Sequence, residues 1–173
     1  MIRYNKIEAL VLTILFFIGF TINAQTIVVG GSNWSIPITP ITEAGMDYTG
    51  TFESATNQFL ISATIPGLLG LLRTETVQVH FEENPLWNNN LTFDIRRTTS
   101  GGGGGICVLC SVSGGTTYQP ITKNTTNFFN LNIPIGIGAK NFTNIPIQLK
   151  LSGTSVTLPV ANYNARIVFT ITN

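Results

Sequence analysis

Charge is scarce in this chain, and histidine and cysteine are scarcer still. Only 10% of its residues are Asp, Glu, Lys or Arg, against roughly 25% in an average soluble domain. Nine Lys and Arg against eight Asp and Glu leave a formal net charge of +1. Nucleic-acid binding needs clustered basic side chains to neutralise phosphates, so nucleic acid is excluded as a partner. Nothing here draws the chain electrostatically to an acidic membrane either. His80 is the only histidine, which argues against Ser-His-Asp catalysis. Glu82 and Glu83 are neighbours, so on a strand they point to opposite faces and cannot form an acid/base pair. Two cysteines and one histidine fall short of a zinc site. The expectation is a protein that is not an enzyme and carries no cofactor.

What is abundant is apolar and neutral-polar. Hydrophobic residues make up 43% of the 173, and the rest is rich in Thr, Asn, Ser and Gly. One long apolar run exists, Leu10 to Phe20, preceded by Arg3 and Lys6 and followed by Thr21-Ile22-Asn23-Ala24-Gln25. Its length is near half of the ~20 residues that a spanning helix needs. Residues 1–24 therefore read as a secretory signal with Ala24 at the cleavage position. Residues 25–173 read as a single domain, with no membrane span in the mature protein. No Cys follows the apolar run, so a lipid anchor is not indicated. The expected location is extracellular, cell-surface or periplasmic.

Beyond residue 25 apolar and polar residues alternate, as in half-buried strands. The stripes are Trp34-Ile36-Ile38, Phe59-Ile61-Ala63-Ile65, Val77-Val79-Phe81, Leu91-Phe93-Ile95, Leu131-Ile133-Ile135-Ile137, Ile145-Ile147-Leu149-Leu151 and Ile167-Phe169-Ile171. Turn signals separate them, at Asn84-Pro85, Gly114-Gly115 and Ser152-Gly153 among others. No segment sustains a 3.6-residue period. Strands with one apolar face each cover those faces by packing sheet on sheet. The expected fold is all-β, an immunoglobulin-like β-sandwich of about seven or more short antiparallel strands, with a jelly roll as the alternative. Pro37 and Pro146 have no N–H for a ladder, so their strands lie at edges or pair on one side there.

Cys107-Val-Leu-Cys110 follows five glycines, Gly101 to Gly105. A redox CxxC opens a helix, and these flanks are glycine and serine. In an exported chain the default is a disulfide closing a tight local loop. A P-loop requires Gly-Lys-Ser/Thr at a helix start, and Gly105 precedes Ile-Cys-Val. Residues from about 99 to 115 read as a flexible Gly-rich loop. Glu43, Asp47, Thr49 and Glu53 offer fewer oxygens than calcium takes. His80 shares the polar face of its strand with Gln78 and Glu82. Trp87, Asn88 and Asn89 in a turn, with Tyr118 beyond the Gly-rich loop, are the candidate ligand residues, because an aromatic face beside amides suits a sugar ring. Core packing of Trp87 is the competing reading.

The last stretch, Ser155-Val-Thr-Leu-Pro-Val-Ala-Asn-Tyr163-Asn-Ala-Arg-Ile-Val-Phe-Thr-Ile-Thr-Asn173, resembles the C-terminal hairpin of bacterial chaperone–usher fimbrial subunits, including the spore-coat-protein-U-like group. In that family a proline-ended strand, a turn with a tyrosine and an alternating terminal strand finish the domain. Here Ala161 stands where the family usually has Gly. The resemblance implies assembly by donor-strand complementation, with like subunits as partners. The expected role is structural or adhesive at the cell surface. A carbohydrate-binding module whose partners are surface glycans is the alternative.

Overall fold

The computed structural model describes residues 24–48, 50–67 and 69–173. The signal-like segment up to residue 23 lies outside the described residues. The fold is all-β and antiparallel, as the alternation predicts. Ten strands follow in chain order: β1 (Thr26–Gly31), β2 (Phe52–Glu53), β3 (Phe59–Ile65), β4 (Leu69–Glu83), β5 (Thr92–Arg97), β6 (Gly102–Val108), β7 (Ser111–Ser113), β8 (Gln119–Ile121), β9 (Thr126–Ser152) and β10 (Ala165–Thr172).

The strands are not uniformly short. β9 runs for 27 residues, which at ~3.3 Å per residue is roughly 90 Å of extended chain. A domain of this size is only about 40 Å across, so β9 has to bend. It does so beside Gly138, at φ 70°, and again at Asn144, at φ 53°, left-handed backbone that Gly and Asn adopt most readily. Residues 126–137 of β9 pair with β4, and β4 in turn pairs with β10. Residues 140–152 pair with β3 and β2 on one side and with β5 on the other. β1 lies outside β3, and β8 outside β5. One strand thus serves as the centre of two half-sheets whose apolar faces meet in a sandwich-like arrangement.

A single core fills the space between them. Ile61, Ile65, Ile95, Ile145 and Ile147 come from one half-sheet, and Val77, Val79, Phe129, Leu131 and Phe169 from the other. Each lies on the apolar phase of its strand. Both prolines of β9 fall where a neighbouring strand changes. Pro146 sits between the end of β6 pairing at Thr143 and the start of β5 pairing at Ile147. There its carbonyl accepts from Thr98 N at 3.0 Å, and its missing N–H leaves no partner stranded. Pro134 falls between the stretches paired with β6 and with β7.

Two segments depart from the sequence expectation. The first strand is Thr26–Gly31 rather than the Trp34-Ile36-Ile38 stripe, and residues 32–48 form no strand. Pro37 and Pro40 deprive that stretch of ladder donors, although Trp34 still packs against the core. The glycine run is also not a loop throughout, because Gly102–Val108 is strand β6, paired with β9. Close approach requires glycine just before this strand: at Gly101, with φ 67°, a Cβ would meet Thr143 O at 2.5 Å and Ile145 N at 2.8 Å, whereas at Gly103 it would meet only Asn141 O at 3.8 Å. At the C-terminal end, residues 153–164 form no strand, and β10 takes β4 as its partner.

Candidate functional site

Trp87 follows a turn in which its N–H donates to Asn84 O at 2.8 Å. The turn feeds the indole inward. It stacks on Phe93, centroids 5.1 Å apart at 25°, and lies tilted against Phe81 at 5.8 Å. Asn88 continues the turn: its carbonyl accepts from Leu91 N at 3.0 Å and its Oδ1 from Asn90 N at 2.9 Å. Asn89 is exposed. One face of the Trp87 indole is therefore occupied by a phenylalanine.

Tyr118 lies on the opposite side of the same half-sheet. Along β5, Phe93 and Ile95 point to the core, whereas Asp94 and Arg96 point outward. Arg96 Cζ and Lys150 Nζ lie 4.6 and 4.5 Å from the Tyr118 ring centroid. Arg96 donates to Gln148 Oε1 from Nε at 3.0 Å and from Nη2 at 2.8 Å. Gln148 Nε2 donates to Ser54 O at 2.9 Å and to Glu53 Oε2 at 3.3 Å. Lys150 pairs with Asp94 at 2.9 Å. Burial pushes the Tyr118 phenol up, and the Glu53 charge adds to this while Arg96 and Lys150 oppose it. Two cations and two carboxylates balance around the ring, which makes a clamp joining β2, β5 and β9 to the chain before β8. The structure does not bring Trp87, Asn88 and Asn89 together with Tyr118.

The two sulfurs of Cys107 and Cys110 are bonded, closing the turn between β6 and β7 with Cα atoms 5.6 Å apart. Beside this turn lies a cavity of about 260 Å³, lined by Ser100, Gly101–Gly103, the disulfide and Lys140 among others. Lys140 is buried, and its ammonium donates to Gly67 O at 3.3 Å. Nearby, buried Glu75 is ion-paired with Arg73 and accepts from Gln25 Nε2 at 2.7 Å. Arg97 is buried as well, and its guanidinium donates to Gly114 O from Nε at 3.0 Å and from Nη2 at 2.8 Å, and to Ser100 Oγ at 3.2 Å. Burial pulls its pKa down from the usual value.

These three buried charges escape a motif search, yet the alternation marks them. Glu75 shares the inward phase of Val77 and Val79, Arg97 that of Phe93 and Ile95, and Lys140 that of Phe142. A charged residue on the apolar phase is the signal.

His80 stays on the polar face, with Nδ1 3.4 Å from Thr125 Oγ1 and Nε2 3.8 Å from Glu82 Oε1. Glu82 is held by Arg166 and Glu83 by Lys123, so the adjacent carboxylates diverge. Asp47 accepts from Tyr48 N, Val156 N and Ser155 Oγ, while Glu53 turns to Gln148; Thr49 lies outside the described residues. Among the described residues no three of His, Cys, Asp and Glu gather as metal ligands, and no helix is long and apolar enough to cross a membrane.

The outer face of the other half-sheet carries an uncharged ladder. Thr74 Oγ1 donates to Asn132 Oδ1 at 3.3 Å, Thr76 Oγ1 to Asn130 Oδ1 at 3.1 Å, and Gln78 Nε2 to Asn127 Oδ1 at 2.9 Å. Asn132 Nδ2 reaches on to Ser113 Oγ at 2.9 Å. No family model, no curated protein and no solved structure matches the chain.

Proposed function

We propose that this chain is a secreted or cell-surface β-sandwich with a structural or adhesive role, a fimbria-like subunit rather than an enzyme. The observation that carries the reading is the ladder of amides and hydroxyls across β4, β9 and β7. Along this stretch of the face the polar groups hydrogen-bond one another without charge, so salt screens nothing there; the ionisable groups of the face, His80, Glu82 and Arg166, lie farther along β4 and β10. The signal-like N-terminus and the closed Cys107–Cys110 pair support an oxidising, extracytoplasmic setting.

The donor-strand route implied by the fimbrial resemblance needs an N-terminal segment free to leave its own domain. In this fold Thr26–Gly31 is seated on β3, so the assembly proposed here uses surfaces of the folded domain. Protease shaving of intact producing cells tests the reading: the mature chain is released from the cell exterior, and oligomer ladders appear on unheated gels of surface extracts. Recovery of the intact, unprocessed chain in the cytoplasm overturns it. A glycan array run in parallel, with Tyr118→Ala as control, reports on sugar recognition. Glycan retention lost in that variant moves the function to a carbohydrate-binding module.

A further inference from the structure

Of the three charged side chains buried among the described residues, only Glu75 is offset, by its pairing with Arg73. Lys140 is 2% exposed and Arg97 5%, and neither stands within ion-pairing reach of a described carboxylate. The carboxylates are committed elsewhere: Asp94 to Lys150, Glu82 to Arg166, Glu83 to Lys123, Asp47 to Ser155 and Glu53 to Gln148. Glu43 is exposed. A buried charge without a counter-charge is costly. Both cations adjoin the cavity beside the disulfide. Lys140 is part of its wall. Arg97 stands just behind the wall, donating to Ser100 Oγ at 3.2 Å and to Val112 O at 3.4 Å, and both of those residues line it. No acidic residue is among the lining, and Gly101–Gly103 leave one side without side chains.

We infer that this cavity is a binding site for a small organic carboxylate, with Lys140 and Arg97 supplying the counter-charge. In a low-dielectric interior a charge acts over several ångströms, so both cations favour an anion there, and no carboxylate of the wall competes. Donors are at hand. An ammonium has three, of which Gly67 O takes one at 3.3 Å. Ser100 Oγ accepts from Arg97 and keeps its own O–H to give. The rest of the wall decides what the anion carries. Val112, Phe142 and the Cys107–Cys110 disulfide cover carbon, and they offer little to the several oxygens of phosphate or sulfate. Only one of the two cations is in the wall itself, which favours one carboxylate over two. Size sets the last limit. At about 260 Å³ the cavity falls just short of the ~300–1,000 Å³ of sites for drug-sized molecules, so the body is a chain of a few carbons.

The inference goes beyond the proposed function and does not depend on where the protein resides. The test is NMR titration of the processed protein with sodium butyrate. Sodium chloride at equal ionic strength is one control, and butan-1-ol, uncharged and of nearly the same size, is the other. The expected result is saturable movement of the Gly101–Gly103 amides with butyrate alone, and a smaller response to inorganic phosphate. Lys140→Met weakens butyrate binding by about tenfold or more. The thermal midpoint of that variant without butyrate holds or rises, since an apolar chain of similar length replaces a buried charge that has no counter-charge. Gly103→Val weakens binding as well. A Cβ at Gly103 would meet only Asn141 O, at 3.8 Å, so the fold accepts the side chain. Gly103 is paired with Phe142, and paired residues share a face, so the added methyls take up room in the cavity. Amides that respond to chloride or to butan-1-ol as they do to butyrate overturn the inference. So does a Lys140→Met variant that binds butyrate as the parent does, whatever its midpoint. Phosphate bound in preference to butyrate overturns the organic carboxylate as the ligand class.

Discussion

The Trp87 indole stacks on Phe93 with the ring centroids 5.1 Å apart, tying the turn after β4 to the inward face of β5. Trp87→Ala removes that aromatic contact together with the apolar area it covers, at a cost of about 3 kcal/mol. Urea unfolding reads this as a lower midpoint at unchanged slope. A variant as stable as the parent would place the indole outside the core.

Arg97 supplies the second test. Its planar fork grips Gly114 O through two nitrogens and reaches Ser100 Oγ through a third, fixing the turn after β7 to the end of β5. Charged hydrogen bonds contribute ~1.5–3 kcal/mol each, so Arg97→Ala costs roughly 3 kcal/mol or more. Arg97→Lys restores little, because one ammonium cannot reproduce the fork. Equal stability of the Lys variant and the parent would show that only the charge matters.

Asp47 gives a pH dependence. Hydrogen bonds from Val156 N, Ser155 Oγ and Tyr48 N hold its carboxyl below the usual value of 3.8. A depressed folded-state pKa contributes stability above the unfolded value and loses it as pH falls through the folded one. The tether between the 41–48 segment and the 153–158 turn is thus intact at neutral pH and opens below about pH 4. NMR of the Val156 and Tyr48 amides follows this directly, with shifts that move in acid and stay fixed in Asp47→Asn.

The disulfide closes so short a loop that chain entropy credits it with roughly 2 kcal/mol at most. Paired Cys107→Ser and Cys110→Ser substitution therefore lowers the thermal midpoint by about 4–8 °C without abolishing the fold. Failure of the double variant to fold would assign the pair a larger role.

The strands were legible because side chains alternate along them, and the core followed from the same alternation: Ile61, Val77, Leu131, Ile147 and Phe169 are all buried where the period places them. Less legible was the unity of β9. Pro134, Gly138 and Pro146 punctuate the sequence as if separate strands ended there, yet each falls at a bend or between flanking strands, where a missing donor or an absent Cβ does no harm. The glycine run misled for a related reason. Glycine marks a flexible loop or a close backbone approach equally well, and only the Thr143 and Ile145 backbone lying against Gly101, with the pairing of β6 to β9, decides between them. The candidate site was the least legible part. Trp87 and Tyr118 read as one candidate site because an aromatic face beside amides suits a sugar ring, but the pleat of β5 sends their neighbours to opposite faces.

The placement of β9 has a consequence for the order of assembly. Residues 126–152 are the central partner of β2, β3, β4, β5, β6 and β7, and they emerge after all six. Until they arrive the earlier strands have nothing between them to join, so neither layer closes ahead of the other. Sequence-distant pairing of this kind makes folding slow, and a chain that stays open until its last third is present suits threading through a narrow channel before it sets.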